Sequence, residues 1–435
     1  MKTTTVLLSI AFYIWCGMAA EAQTLKGTAI VGDASGDVFG YSISMPDANT
    51  VAIGAHGNDS NGSGAGQVRI YTWDGNDWAQ KGANIDGDAA GDWSGYSVSM
   101  PDANTVAIGA PRNDGKSSDA GQVRIFTWNG NNWIQKGADI YGETSGDQAG
   151  YTVSMPDANT VAIGAPNNYG NGYTAGQVRI YIWNGSSWVQ QGADIDGEAI
   201  GDWSGAAVNM PDANTVAIGA VFNNNANGTD AGHVRIYTWS GSSWVLKGAD
   251  IDGETADDLS GFSVSMPDAN TVAIGAHGND DNGSNAGHVR IYTWSGSSWV
   301  QKGVDIDGEA AGDWSGYSVD MPNANTVAIG AIYNAGNGIN AGQVRIFTWN
   351  GSAWLQQGPD IEGEAPGDQI GYSVNMPDTN LVATGVPNVN AGLVRVYSLC
   401  ANSSSTSDIT VCDSYVSPSG NYTWTTSGTY MDTIL

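Results

Sequence analysis

The sequence predicts an all-β fold: a seven-bladed β-propeller of four-stranded antiparallel blades, closed by an N-terminal strand that completes the last blade. Three observations predict it. The stretch "MPDANTVAIGAP" at 100–111 recurs in similar form seven times, opened by Met45, Met100, Met155, Met210, Met266, Met321 and Met376, at spacings of 55, 55, 55, 56, 55 and 55 residues. Each copy carries short apolar runs bounded by Gly, Asn, Pro or Asp, the signature of strands. The seventh copy stops after its third run, and the residues from Gln23 to Ile30 match the missing fourth.

In the second copy the four runs are 96–100, 105–110, 122–128 and 133–140. All are β-branched or aromatic, and none has helical periodicity. "PDAN" at 101–104 is expected to be a compact hairpin turn, with Pro at its first corner and Asn tolerating left-handed geometry. "NG" at 129–130 supplies positive φ for the next hairpin. That turn brings Trp128 opposite Trp133, a pair kept in six copies and read as structural packing. Four antiparallel strands per 55-residue unit fit a propeller blade, and complementary chain ends fit a closed ring without free edges.

Residues 1–22 read as a signal peptide: Lys2, an apolar stretch, then Ala20-Glu21-Ala22, with cleavage before Gln23. The propeller spans 23–398, and 399–435 form a polar linker and a short β segment that ends while still strand-like. Lys+Arg 15 against Asp+Glu 44 gives a net charge of -29, which excludes nucleic acid as a natural partner and disfavours anionic membranes. No later stretch is apolar enough for a transmembrane segment. Cys400 and Cys412 remain after the signal; export permits a disulfide between them, and the alternative is that either pairs outside this chain.

These residues resemble the FG-GAP repeat family, the propeller repeat of integrin α-subunits and of many secreted bacterial proteins. Phe39-Gly40 matches the "FG", while Gly109-Ala110-Pro111 and Gly164-Ala165-Pro166 match the "GAP". The resemblance implies seven blades and extracellular binding without catalysis, and identifies no ligand. Many repeats of the family carry an Asp-rich calcium loop between strands one and two. "PDAN" holds one carboxylate, and "PNAN" at 322–325 none, so that calcium role does not transfer. The C-terminal segment is similar to repeats of large bacterial surface proteins.

Function is expected on the face carrying the 2–3 and 4–1 loops, because the 2–3 loops vary most. Trp93, Trp203 and Trp314 follow an invariant Asp in three 4–1 loops and are candidate ligand contacts, by stacking on sugar rings or anchoring a protein. Asp194, Asp196, Glu198 and Asp202 are candidate oxygens for a calcium ion in one acidic loop, with Asp202-type residues capping the turn as the preferred reading. Calcium is thus the one candidate cofactor. The seven arginines of strand three are expected half-buried against loop carboxylates. His56, His233, His277 and His288 sit in scaffold slots and form no triad. The expected function is a secreted, monomeric, non-catalytic adhesion or binding protein for an extracellular protein or glycan. Calcium-dependent lectin activity and a glycan hydrolase using loop carboxylates are the alternatives.

Overall fold

The computed structural model describes residues 23–399, together with two short strands further on, Tyr415–Val416 and Thr423–Trp424, which pair antiparallel. The signal peptide, Cys400, Cys412 and the rest of the C-terminal segment lie outside the described residues. Residues 401–435 belong to a separate unit.

Seven antiparallel sheets form the ring, as the repeat predicts. In blade 2 the inner strand is Ser97–Asp102, followed outward by Thr105–Ala110, Gln122–Trp128 and an outermost strand. Inner strands of successive blades touch all the way round, including Ser42–Asp47 of blade 1 against Val374–Asp378 of blade 7. Blade 7 is completed from the N-terminus: Thr24 pairs with Ser398 and Ile30 with Val394. The first and last strands of the ring thus share one sheet, and no blade exposes a bare third strand.

The outermost strand differs from expectation. It is broken into Trp133–Gln135 and Ile140–Tyr141, both paired with strand three. Gly137, at φ 80°, makes the break, and a Cβ there would stand 2.6 Å from the Trp183 ring of the next blade. The gap lets the neighbouring Trp hairpin seat itself. The "PDAN" turn is also tighter than expected. Asp102 pairs directly with Thr105, so Pro101 and Asp102 end the inner strand beyond a β-bulge and only Ala103-Asn104 form the tip. Pro is tolerated at a bulge because no ladder N–H is needed there. The Asp102 carboxylate is used locally, accepting the Asn104 N–H at 2.7 Å.

Strand two, "TVAIGA" in six blades, is buried along its whole length because a blade covers each face. Apolar clusters accordingly span two blades each; Val123 and Ile125 of blade 2 pack with Val153, Met155 and Ile163 of blade 3. Approach is closest at the strand-two glycine. A Cβ on Gly109 would lie 2.0 Å from the carbonyl oxygen of Gly150 in the next blade.

Polar contacts repeat round the same ring. The N–H of Met100 donates to Ser44 Oγ of the preceding blade at 2.9 Å. Equivalent bonds join Met155 to Ser99, Met210 to Ser154, Met266 to Asn209, Met321 to Ser265, Met376 to Asp320 and, closing the circle, Met45 to Asn375. Further out, Trp133 Nε1 donates to the Lys81 carbonyl at 2.8 Å, and Lys81 Nζ returns to the Ala103 carbonyl at 2.6 Å. The ammonium lies 5.4 Å from both the Trp128 and the Trp133 ring centroids. The Trp pairs therefore join blades, and the "AN" of the repeat receives the lysine.

Two outcomes test this ring. Asp320 is the one member that can ionise; it also accepts from Ser265 Oγ and Asn375 Nδ2. Desolvation pushes its carboxyl from 3.8 up to about 6. A raised acid penalises the fold once ionised, so the penalty is absent below pH ~4 and complete above pH ~6, at roughly 2–3 kcal/mol. Asp320→Asn keeps the acceptor without the charge. It should raise the melting temperature at pH 8 and leave it nearly unchanged at pH 4, measured by calorimetry. Separately, a variant lacking residues 1–31 leaves Leu393–Ser398 as an open edge; lowered thermal stability and self-association in light scattering are expected.

Candidate functional site

The loop-bearing face is built from one repeated arrangement. Each 2–3 loop pairs with the following 4–1 loop through backbone bonds, as in Trp93 N–H to the Gly64 carbonyl at 3.1 Å. The two invariant acidic positions of the 4–1 loop have separate duties. The first meets the strand-three arginine in every blade: Arg69–Asp33, Arg124–Asp88, Arg179–Glu143, Arg235–Glu198, Arg290–Glu254, Arg345–Glu309 and Arg395–Glu364, at 2.6 to 4.0 Å. Those arginines are buried and their partners half exposed. The second position caps its own turn. Asp202 Oδ2 accepts the N–H groups of Glu198 and Ala199 at 3.1 and 2.8 Å.

The four candidate calcium oxygens are therefore engaged singly. Asp194 accepts from Gln190 Nε2 at 2.6 Å, Asp196 from Gln177 Nε2 at 3.3 Å, Glu198 faces Arg235, and Asp202 caps the turn. Among the described residues these four are not drawn into one metal-sized group; Glu198 converges instead with His233 and Asp250.

Trp93, Trp203 and Trp314 all sit at the mouth of the ring, half-buried, at left-handed φ of 59°, 56° and 58°. The equivalent residues Val38, Gln148, Leu259 and Gln369 share that conformation. A non-glycine residue there costs about 1–2 kcal/mol, in a chain that uses Gly freely elsewhere. The side chain is what the position retains. Trp93 lies parallel to Tyr96 with centroids 5.9 Å apart, and carries the Arg112 guanidinium 3.6 Å above its ring. Trp314 contacts His277 and Tyr333 at 4.7 Å each, and Trp203 contacts Phe222 at 5.1 Å.

Sequence reading missed the inner partners of these tryptophans. The repeat position at the start of the inner strand is Tyr41, Tyr96, Tyr151, Phe262, Tyr317 or Tyr372 in six blades, and Ala206 in blade 4. Five contacts of 4.7 to 5.0 Å link the six rings into an arc, Tyr151–Tyr96–Tyr41–Tyr372–Tyr317–Phe262, open at Ala206. The signal was present in the 55-residue register: one slot aromatic in every copy but one. Blade 4 also has Ala207 where the others have Ser or Thr. In those six interfaces the hydroxyl donates to the next blade's Gly carbonyl, as Ser97 does to Gly150 at 2.8 Å. Inside the arc is an axial cavity of about 330 Å³, which reaches sideways through the gap to Trp203 and Phe222.

Burial pushes the phenols of Tyr41, Tyr96, Tyr151 and Tyr317 up, so they stay neutral at ordinary pH. His56 and His277 join the collar, and burial lowers each to about 4. They are neutral apolar-facing rings. His233 and His288 lie elsewhere, fully buried at the start of strand three, lowered by burial and by a neighbouring arginine to about 3 and about 4.

Comparison with known proteins agrees with this architecture. The pattern described as FG-GAP repeat matches residues 28–71, 84–126 and 250–292. No curated protein sequence matches the chain. Among solved structures, the WD40 β-propeller domain of Doa1 is similar at 12% identity and a TM-score of 0.51, covering 87% of this chain and 97% of that one. A putative 6-phosphogluconolactonase from Bacteroides uniformis is similar at 10% identity and a TM-score of 0.50, covering 75% and 86%. At such identities the likeness is one of fold alone. Three FG-GAP matches, set in a ring whose remaining blades repeat the same words, place this chain in the FG-GAP repeat family of β-propellers.

Proposed function

We propose that this protein is an extracellular, non-catalytic binding protein whose axial aromatic funnel takes the end of a neutral glycan. The observation that carries this reading is the single break in the collar. Ala206 removes one ring from an otherwise continuous aromatic wall, and the cavity extends there to Trp203 and Phe222. A cavity of this size, largely apolar and lined by tyrosine side chains, suits a small ligand stacked on aromatic faces. The net charge of -29 favours a neutral ligand over an anionic one. Export is proposed from the leader-like residues 1–22 and from the family; among the described residues no helix is long and apolar enough to cross a membrane.

A non-catalytic role is supported by the carboxylates. All seven first-position acids face an arginine, which sets no blade apart as an acid–base pair. A calcium-free version is favoured, because Asp194 and Asp202 already spend oxygens on local hydrogen bonds.

A second reading, a protein partner, is favoured by one patch on the same face. Tyr169 and Tyr173 are stacked at 5.2 Å and lie 51% and 66% exposed, with Ile200 exposed 67% on the adjoining loop.

Titration of neutral mono- and disaccharides, read by calorimetry, tests the glycan reading. Trp203→Ala should weaken binding roughly tenfold, the ~1.4 kcal/mol of one stacked ring. Ala206→Tyr, which installs the residue of five other blades, should abolish it by closing the gap. Binding that survives both changes, or no binding of any neutral glycan, would reject this reading. Loss of adhesion on Tyr169→Ser and Tyr173→Ser, with Ala206→Tyr silent, would establish the protein partner instead.

A further inference from the structure

We propose that blade 5 holds one divalent transition-metal ion of the zinc class, ligated by His288 together with Glu254, Asp281 and Asp305. The donor atoms of these four side chains lie within 4.8 Å of one another. They come from four segments: Glu254 from the 4–1 loop entering blade 5, Asp281 from its 2–3 loop, His288 from strand three and Asp305 from the break in the outer strand.

Acidic groups alone would not indicate a site in so acidic a protein. The independent observation is His288. Its ring is fully buried, and neither Nδ1 nor Nε2 has a hydrogen-bond partner. Nδ1 stands 3.9 Å from Glu254 Oε2, too far for a hydrogen bond. Burying an imidazole with both nitrogens unpaired is costly, and a lone pair facing carboxylates is repelled unless a cation lies between them.

The other blades supply the contrast. Four of them place Gln at this position, and its amide donates to a carboxylate of the outer strand or the 4–1 loop: Gln67 to Asp86 at 2.8 Å, Gln122 to Asp88 at 3.0 Å, Gln177 to Asp196 at 3.3 Å and Gln343 to Glu309 at 2.9 Å. An amide donor satisfies those acids without a metal. Blade 5 replaces that donor by a ring with a lone pair. It also places Asp281 where blade 1 has Ser60 and blades 2, 3 and 6 have Gly115, Gly170 and Gly336. The histidine and the extra carboxylate thus occur together, in one blade. Blade 4 has His233 with Glu198 and Asp250, but Asn225 fills the fourth place and its amide donates to the Gly232 carbonyl at 3.0 Å.

Charge and geometry suit a divalent ion. Three carboxylates oppose the single Arg290, whose Nη1 is 3.4 Å from Glu254 Oε1. Glu254 keeps Oε2 for the site, and Asp305 gives one oxygen to Gln301 Nε2 and keeps the other. The remaining two negative charges match a divalent cation. One imidazole with three carboxylates is a four-coordinate set for zinc, whereas calcium takes six to eight oxygens. Glu254 and Asp281 are exposed, which leaves an entry path from the loop face.

The test is calorimetric titration of the chelator-stripped full chain with Zn²⁺, Mn²⁺ and Ca²⁺, alongside melting temperatures. One zinc equivalent should bind and raise the melting temperature. His288→Gln, the residue of four other blades, and Asp281→Ser, the residue of blade 1, should each weaken zinc at least tenfold. His233→Gln should leave it unchanged. No zinc binding, wild-type affinity in His288→Gln, loss of the site in His233→Gln, or preference for Ca²⁺ would each overturn the proposal.

Discussion

The close approach of one blade to the next is the constraint on which the rest of this structure depends. No blade has a core of its own. Strand two is buried on both faces only because two neighbours cover it, and each apolar cluster belongs to two blades. The strand-two glycine sets the distance: at Gly109 any Cβ would collide with the Gly150 carbonyl. Once the backbones are that close, the Met N–H can reach the Ser, Asn or Asp of the preceding blade. The Lys and Trp contacts repeat the linkage at a larger radius. Seven such interfaces close only if the units are nearly equal, which is why the words repeat so faithfully.

That demand for equality bears on function. A residue in all seven copies serves the ring, as the arginine–carboxylate pairs and the capping Asp do, and so do the Trp hairpins of six blades. Chemistry has to be sought in the departures. Blade 4 departs by exchanging an aromatic ring and a hydroxyl for Ala206 and Ala207, and the axial cavity opens there. Blade 5 departs by pairing a buried His288 with Asp281. Each change is confined to one blade, so each breaks the symmetry at the point where a ligand or an ion would need it broken.

The fold was legible because a ring of identical wedges writes its period and its strand boundaries directly into the chain. The Trp128/Trp133 pairing, the strand completed from the N-terminus and the turn-like "PDAN" all followed from local pattern. The broken outer strand did not, since Gly137 is shaped by a Trp ring in the next blade. The tryptophans Trp93, Trp203 and Trp314 were legible as variable loop residues on one face. Their inner partners were not, because Tyr96 or Phe262 reads as an ordinary strand residue until the ring brings six of them to one axis. Likewise His288 looked like a scaffold substitution of Gln.

By itself the sequence determined the repeat, the strand order, the closure and the face on which variation is allowed. These depend on residues close in sequence, or on the register of one copy against the next. Tertiary structure alone decided which carboxylate each arginine meets, which aromatic rings share the axis and which four donors converge on His288. Those groups are separated by tens to hundreds of residues along the chain, and only the angle and spacing of adjacent blades bring their atoms within bonding distance.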